Sequence, residues 1–208
     1  MRVSRIAALA IVAFAGGLIL ARALLPGHEP PPATERATVF SPPRELPAFA
    51  LTDQDGRRFG PEALRGHWTL VFFGFTQCPD VCPTTLATLV QVTRQLGDLP
   101  AEARPRVLLV SVDPERDTPE RLAAYVRFFD PTFLGVTGDA AAIAEFARAF
   151  GVPFAKDPVP GGYTMDHGSG LFVVGPDGST VAYSSAPHDA TVIARDYRKV
   201  VAHTARQG

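Results

Sequence analysis

The chain has 208 residues, 46% of them hydrophobic and 20% charged, and a formal net charge of −1. That is enough for one well-packed domain with about forty residues to spare, and the lack of a basic surplus excludes a surface built to neutralise phosphates, so nucleic acid is not an expected partner. The two cysteines, Cys78 and Cys82, are too few for a disulfide-stapled scaffold, and a bridge between them would close too small a loop to constrain the unfolded chain much.

At the N-terminus, Arg2 and Arg5 precede an apolar run over residues 6–21 that resumes after Arg22 as Ala23, Leu24 and Leu25. Ala21-Arg22-Ala23 is a poor cleavage site for a signal peptide, whereas residues 6–25 reach the roughly 20 residues that a membrane span needs if Arg22 snorkels to the interface. Residues 1–25 are therefore read as a membrane anchor or a signal segment, with an uncleaved single-pass anchor favoured; either way the leading arginines stay in the cytoplasm and the rest is exported. Residues 26–47 hold Pro30, Pro31, Pro32, Pro42 and Pro43 with no periodic apolar pattern, which predicts an extended, semi-rigid tether.

The domain is expected over residues 48–208. Phe49, Leu51 and Phe59 flank an Asp53-Gln54-Asp55-Gly56 turn and read as a hairpin. Residues 69–75 and 107–112 are short apolar runs suited to buried strands. Between them Leu86, Leu89, Val90, Val92 and Leu96 recur at helical spacing, and the prolines at 79 and 83 predict a helix starting around Pro83. Thr118 and Pro119 open a second helix to about residue 129, and Asp139 caps a third that ends at residue 150. Residues 134–136 read as a short strand, 171–174 and 181–183 as a hairpin, and Asp189 as the cap of the last helix. Parallel β-α-β units followed by a hairpin and a helix predict an α/β thioredoxin-like fold, with helices on both faces of a mixed sheet. Residues 151–168, with Pro153, Pro158, Pro160, Gly161 and Gly162, read as a long irregular stretch that delivers His167 just before a strand.

The cysteines lie where a buried strand meets a helix, the usual place for a ligand site in an open α/β sheet. Helix N–H groups and the helix dipole favour anions there, so both thiols are expected to have depressed pKa values. The bland alternative is a pair of small buried hydrophobes. An exported vicinal pair points instead to redox chemistry or a metal. Three residues separate the cysteines where a thioredoxin-type redox motif has two. The peroxidatic pattern wants threonine three residues before its reactive cysteine, but Phe75 and Pro79 stand in those positions.

The stretches Cys78-Pro79-Asp80-Val81-Cys82-Pro83, Ser111-Val112-Asp113-Pro114-Glu115-Arg116-Asp117-Thr118-Pro119 and Asp166-His167 resemble the three signatures of the Sco (SenC) family in order, across residues 48–208. The resemblance implies copper held by Cys78, Cys82 and His167, in a chaperone rather than an enzyme. It also implies maturation of the dinuclear copper centre of cytochrome c oxidase subunit II, with a further copper-donor chaperone as a second partner. The implied location is the inner (cytoplasmic) membrane, single-pass, with the domain on the periplasmic side. One departure is Gly168, where family members often carry a small hydroxyl residue; it would loosen the histidine loop. The chemistry agrees, since soft thiolates select Cu(I) and imidazole serves both copper states. A structural zinc site would need a fourth ligand, for which Asp80 and Asp166 are the candidates. Reduction of a disulfide in the oxidase subunit is the rival use of the cysteines, and peroxide scavenging a remoter one. His28, His67, His188 and His203 read as solvated or structural, Met165 as packed. The acidic and basic residues over 113–117 read equally as a partner surface or as ties within a loop.

Overall fold

The computed structural model describes residues 30–207 and, before them, only Ala10, Phe14, Gly16 and Gly17. Contacts divide the chain into Met1–Pro30 and Pro31–Gly208. The expected anchor lies outside the described residues apart from those four positions, and among the described residues no helix is long and apolar enough to cross a membrane.

The strands of the second unit are β1 (Ala37–Arg44), β2 (Leu51–Asp53), β3 (Arg58–Phe59), β4 (Thr69–Gly74), β5 (Arg106–Ser111), β6 (Leu134–Thr137), β7 (Phe154–Val159), β8 (Gly162–His167), β9 (Leu171–Val174) and β10 (Thr180–Ser184). The helices are α1 (Val81–Gln95), α2 (Pro119–Phe129), α3 (Ala140–Phe150) and α4 (Ala190–Thr204). Three helices start at the caps written in the sequence. Thr118 accepts the Arg121 N–H, Asp139 that of Ala142, and Asp189 those of Thr191 and Val192. Gly151, at φ 70°, closes α3 in the left-handed conformation that glycine adopts without steric cost.

Eight strands form one sheet in the order β1-β10-β9-β4-β5-β6-β2-β3, and β7 and β8 form a separate ribbon. β4, β5 and β6 run parallel, joined through α1 and α2, while β9 pairs antiparallel on the other side of β4. All six residues of β4 are buried, as expected for a strand covered on both faces. On one face Phe73 packs against Phe146 and Phe150 of α3, with ring centroids 6.1 and 5.4 Å apart. On the other, Gly74 lies against Cys82 of α1. This is the thioredoxin-like α/β fold, with the β2–β3 hairpin at its edge.

Two segments differ from expectation. Residues 37–44, read as part of the tether, form β1 on β10, with Ala37 opposite Ser184 and Val39 opposite Ala182 before a bulge. Thr38, Val39 and Phe40 have strand propensity, and on an edge strand Pro42 and Pro43 cost no ladder bond. Residues 151–168, read as irregular, contain the β7–β8 ribbon, paired from Phe154 opposite His167 to Val159 opposite Gly162. Gly161 supplies the positive φ, 83°, at its tip, and a two-stranded ribbon has only edges, so Pro158 is tolerated.

Asp196, buried on α4, fixes the start of β1. Its carboxylate accepts from the N–H groups of Glu35, Arg36 and Ala37 at 2.8, 2.8 and 3.0 Å. Burial alone would raise its pKa, but the three N–H donors prevail and hold it below the usual carboxylate value. A group with a depressed folded pKa stabilises fully above its unfolded value, about 3.9, and loses that contribution as pH falls through the folded one. Asp196→Ala is expected to cost about 3 kcal/mol at pH 7, with the gap from wild type closing below about pH 4. Urea unfolding of both chains across that range checks it, and a gap independent of pH would show that the carboxylate charge is not what holds the strand.

Candidate metal centre

After Gly74 the chain turns, with the Cys78 N–H donating to the Phe75 carbonyl at 3.3 Å, and enters α1 through Asp80. The helix begins at Val81, two residues earlier than Pro83 suggested, because a proline in the first turn lacks only an N–H that would have had no intrahelical partner. Cys82 therefore lies inside the first turn rather than on the loop. Asp80 makes no side-chain cap bond; instead the free Cys82 N–H donates to Cys78 Sγ at 3.4 Å. Cys78, half-buried, thus has its sulfur at the positive end of the helix dipole.

Cys82 is different. Its side chain is 0% exposed, and burial above all, with Cys78 adding to it, pushes the thiol pKa up. This corrects the expectation of two depressed thiols: Cys82 points inward, where desolvation of a thiolate outweighs the helix end. Gly74 makes the space, since a Cβ there would stand 2.9 Å from Cys82 Sγ.

His167 ends β8. Its Nδ1–H donates to the Gly168 carbonyl at 3.1 Å, which leaves the Nε2 lone pair facing Cys82 Sγ at 3.7 Å. Phe72 and Phe75 flank the ring at 6.4 and 5.8 Å between centroids. The fold thus brings Cys82 and His167 together across 85 residues, with Cys78 one hydrogen bond away. Among the described residues, no three His, Cys, Asp or Glu side chains form a ready-made metal-holding group. Both cysteines are free. Asp80 and Asp166 are exposed, and neither forms a metal-holding group with them among the described residues.

The segment after β5 ties this site together. Asp117, fully buried, accepts from the Thr76 N–H at 3.0 Å, the Thr76 hydroxyl at 2.5 Å and the Ser111 hydroxyl at 2.6 Å. Asp113, also buried, pairs with Arg116 and accepts from the Tyr163 hydroxyl at 2.9 Å. Arg116 donates to the Tyr163 carbonyl at 2.9 Å and to Gln77 at 3.3 Å, and its guanidinium lies 3.8 Å from the centroid of the Tyr163 ring. Of the two readings of residues 113–117, Asp113, Arg116 and Asp117 take the tying one, while Glu115 pairs at the surface with Lys156 at 2.5 Å.

Thr76, Gln77, Tyr163 and Tyr125 were not legible from the sequence. The Tyr125 hydroxyl is buried without a hydrogen-bond partner, and burial first, then the nearby Cys82, Cys78 and Asp117, raise its pKa. Met165 is buried beside Val112, Ile143 and Phe154, and packs as expected. Among the other histidines, His67 is exposed and His203 buried, while His188 bonds to the carbonyl of Ser169 at 2.8 Å, close to the His167 loop; His28 lies outside the described residues.

The SCO1/SenC family model matches residues 40–202. The chain belongs to that family. It is 40% identical over 156 residues to the mitochondrial SCO2 homologue of Bos taurus, an alignment covering 74% of this chain and 59% of that one, so the chain spans under two thirds of that relative. The structure of Bradyrhizobium japonicum ScoI with copper bound is 37% identical, with a TM-score of 0.66 over 75% of this chain and 99% of that one. The structure of BsSco, described through a disulfide switch and as a member of the Sco family of cytochrome c oxidase assembly proteins, is 27% identical, with a TM-score of 0.60 over 82% and 98%. In this member of the Sco family Asp117 ties down the cysteine loop through Thr76. Replacing Asp117 with Ala leaves two hydroxyls and an N–H without their acceptor, and is expected to cost about 3 kcal/mol. Chemical denaturation checks it, and a loss below about 1 kcal/mol would mean that the loop holds its shape without the carboxylate.

Proposed function

We propose that this Sco-family chain is a copper chaperone that holds one copper ion through Cys78, Cys82 and His167 and passes it to the dinuclear copper centre of cytochrome c oxidase subunit II. The observation that carries the reading is the approach of His167 Nε2 to Cys82 Sγ at 3.7 Å, with Cys78 beside the start of the same helix. Two soft sulfurs and one imidazole suit an ion that is held as Cu(I) by the thiolates and as Cu(II) only with the nitrogen donor. The copper-bound relative and the oxidase-assembly relative support the same reading. Copper is cargo here rather than a catalyst, and a second chaperone would supply it. The proposed setting is the inner membrane, with residues 1–25 as a single-pass anchor and the domain on the periplasmic side.

Thiol–disulfide reduction of the oxidase subunit is the second reading, favoured by the free, neighbouring cysteines and by the disulfide switch of BsSco. The two readings make different demands on His167, because exchange needs only the attacking and leaving sulfurs. His167→Ala should keep Cu(I) on the cysteines. It should weaken Cu(II) by more than the roughly 10–100-fold that loss of an outer-shell partner costs. Disulfide formation and reduction should stay near wild-type rates. Oxidase activity in cells with this variant as their only copy, grown at low copper, should fall with Cu(II) binding. Full activity there would favour the reductase.

A further inference from the structure

We propose that His188 is a positioning residue for His167, holding the loop that orients the ligand's ring. The inference rests on reading His167 as a copper ligand and goes beyond it to what keeps the imidazole aimed. Besides the Phe72 and Phe75 rings and Cys82 Sγ, the His167 ring is oriented through its Nδ1–H, which donates to the Gly168 carbonyl at 3.1 Å. That carbonyl belongs to Gly168-Ser169-Gly170, a connection with little rigidity of its own.

Space does not require glycine at 168. A Cβ there would meet Val152 and Pro153 at 3.5 and 3.7 Å, ordinary contact distances, so Gly168 brings freedom without a steric reason. Gly170 is required, since its Cβ would fall 2.1 Å from the Tyr183 ring. With no side chain on either glycine, the loop must be tied from outside. One tie is the Gly168 N–H donating to the Pro153 carbonyl at 3.1 Å. The other is His188, whose Nε2–H donates to the Ser169 carbonyl at 2.8 Å. The Gly168 carbonyl that orients His167 lies between the two.

His188 is well placed to be the fixed end of that bond. It precedes Asp189, which caps α4 through two backbone N–H groups, so its backbone is anchored to a helix start. Its Nε2 is committed to a carbonyl and its Nδ1 is buried without a partner, so the ring is not itself offered to a metal. Removing this tie would free the Gly168 peptide to rotate and release the His167 tautomer, turning Nε2 away from Cys82. The group that accepts from the other ring nitrogen of a metal-bound histidine fixes its tautomer and ring direction, and here that group is the Gly168 carbonyl beside the peptide that His188 holds.

The test uses the full-length chain with His188→Ala, His188→Gln and, as reference, His167→Ala. In the metal-free chain, the 15N signals of the His167 ring should report one Nδ1–H tautomer in wild type and a mixture in H188A. Cu(II) affinity of H188A should fall about tenfold while Cu(I) affinity is unchanged. H188Q, whose side-chain amide can donate to the same carbonyl, should restore both readouts in large part. Unchanged His167 ring signals in H188A would overturn the proposal. So would equal weakening of Cu(I) and Cu(II) with a lower Tm and no rescue by glutamine, because that pattern belongs to a merely structural residue. Should H167A keep its Cu(II) affinity, the ligand reading fails by itself, and the ring signals still decide whether His188 positions the loop.

Discussion

The buried carboxylate of Asp117 is the constraint on which the site depends. A charge taken out of water is costly unless its lone pairs are occupied, and here Thr76 gives two donors and Ser111 a third. Asp117 also directly precedes Thr118, the N-cap of α2, where the helix dipole favours a negative charge. One side chain thus fastens the end of β5 and the start of α2 to the backbone two residues before Cys78. Asp113 and Arg116 extend the network to the β7–β8 ribbon through Tyr163. The cysteines and the histidine come from distant parts of the sequence, yet a single polar network sets the distance between their supports. Such a network is valuable when every member is satisfied and expensive when one is removed.

Much of this was legible before the structure. The caps at Thr118, Asp139 and Asp189, the buried strands and the β2–β3 turn are local signals, and local physics decides them. What was not legible depends on pairing with a distant partner. β1 was hidden because residues 30–47 are rich in proline, and only Asp196 and β10 show that residues 35–39 are held. The β7–β8 ribbon was hidden for the same reason, since the prolines that argue against a strand are harmless where both strands are edges. Cys78, Cys82 and His167 were nameable through motif resemblance, and the structure brings Cys82 and His167 face to face. The roles of Thr76, Tyr163 and His188 were not nameable, because a threonine, a tyrosine or a histidine carries no mark in sequence of the carbonyl or carboxylate it will meet.

The two cysteines, equal in the sequence, are made unequal by a half-turn of helix. Cys78 keeps some contact with solvent, and its sulfur takes the Cys82 N–H at the start of the helix. Cys82 is sealed behind it, where a bare thiolate is disfavoured and a proton can be shared with His167 Nε2. An incoming thiolate-seeking ion would meet Cys78 first, and binding at Cys82 must displace a proton, so metal uptake and proton release are linked. The same asymmetry serves the dithiol reading, since an accessible sulfur attacks and a buried one resolves. What separates the two functions is therefore not the sulfur pair but the imidazole. A reductase has no need for Nε2 to be held against Cys82, and the chain invests the β7–β8 ribbon, the Gly168 carbonyl and the tie from His188 in holding it there.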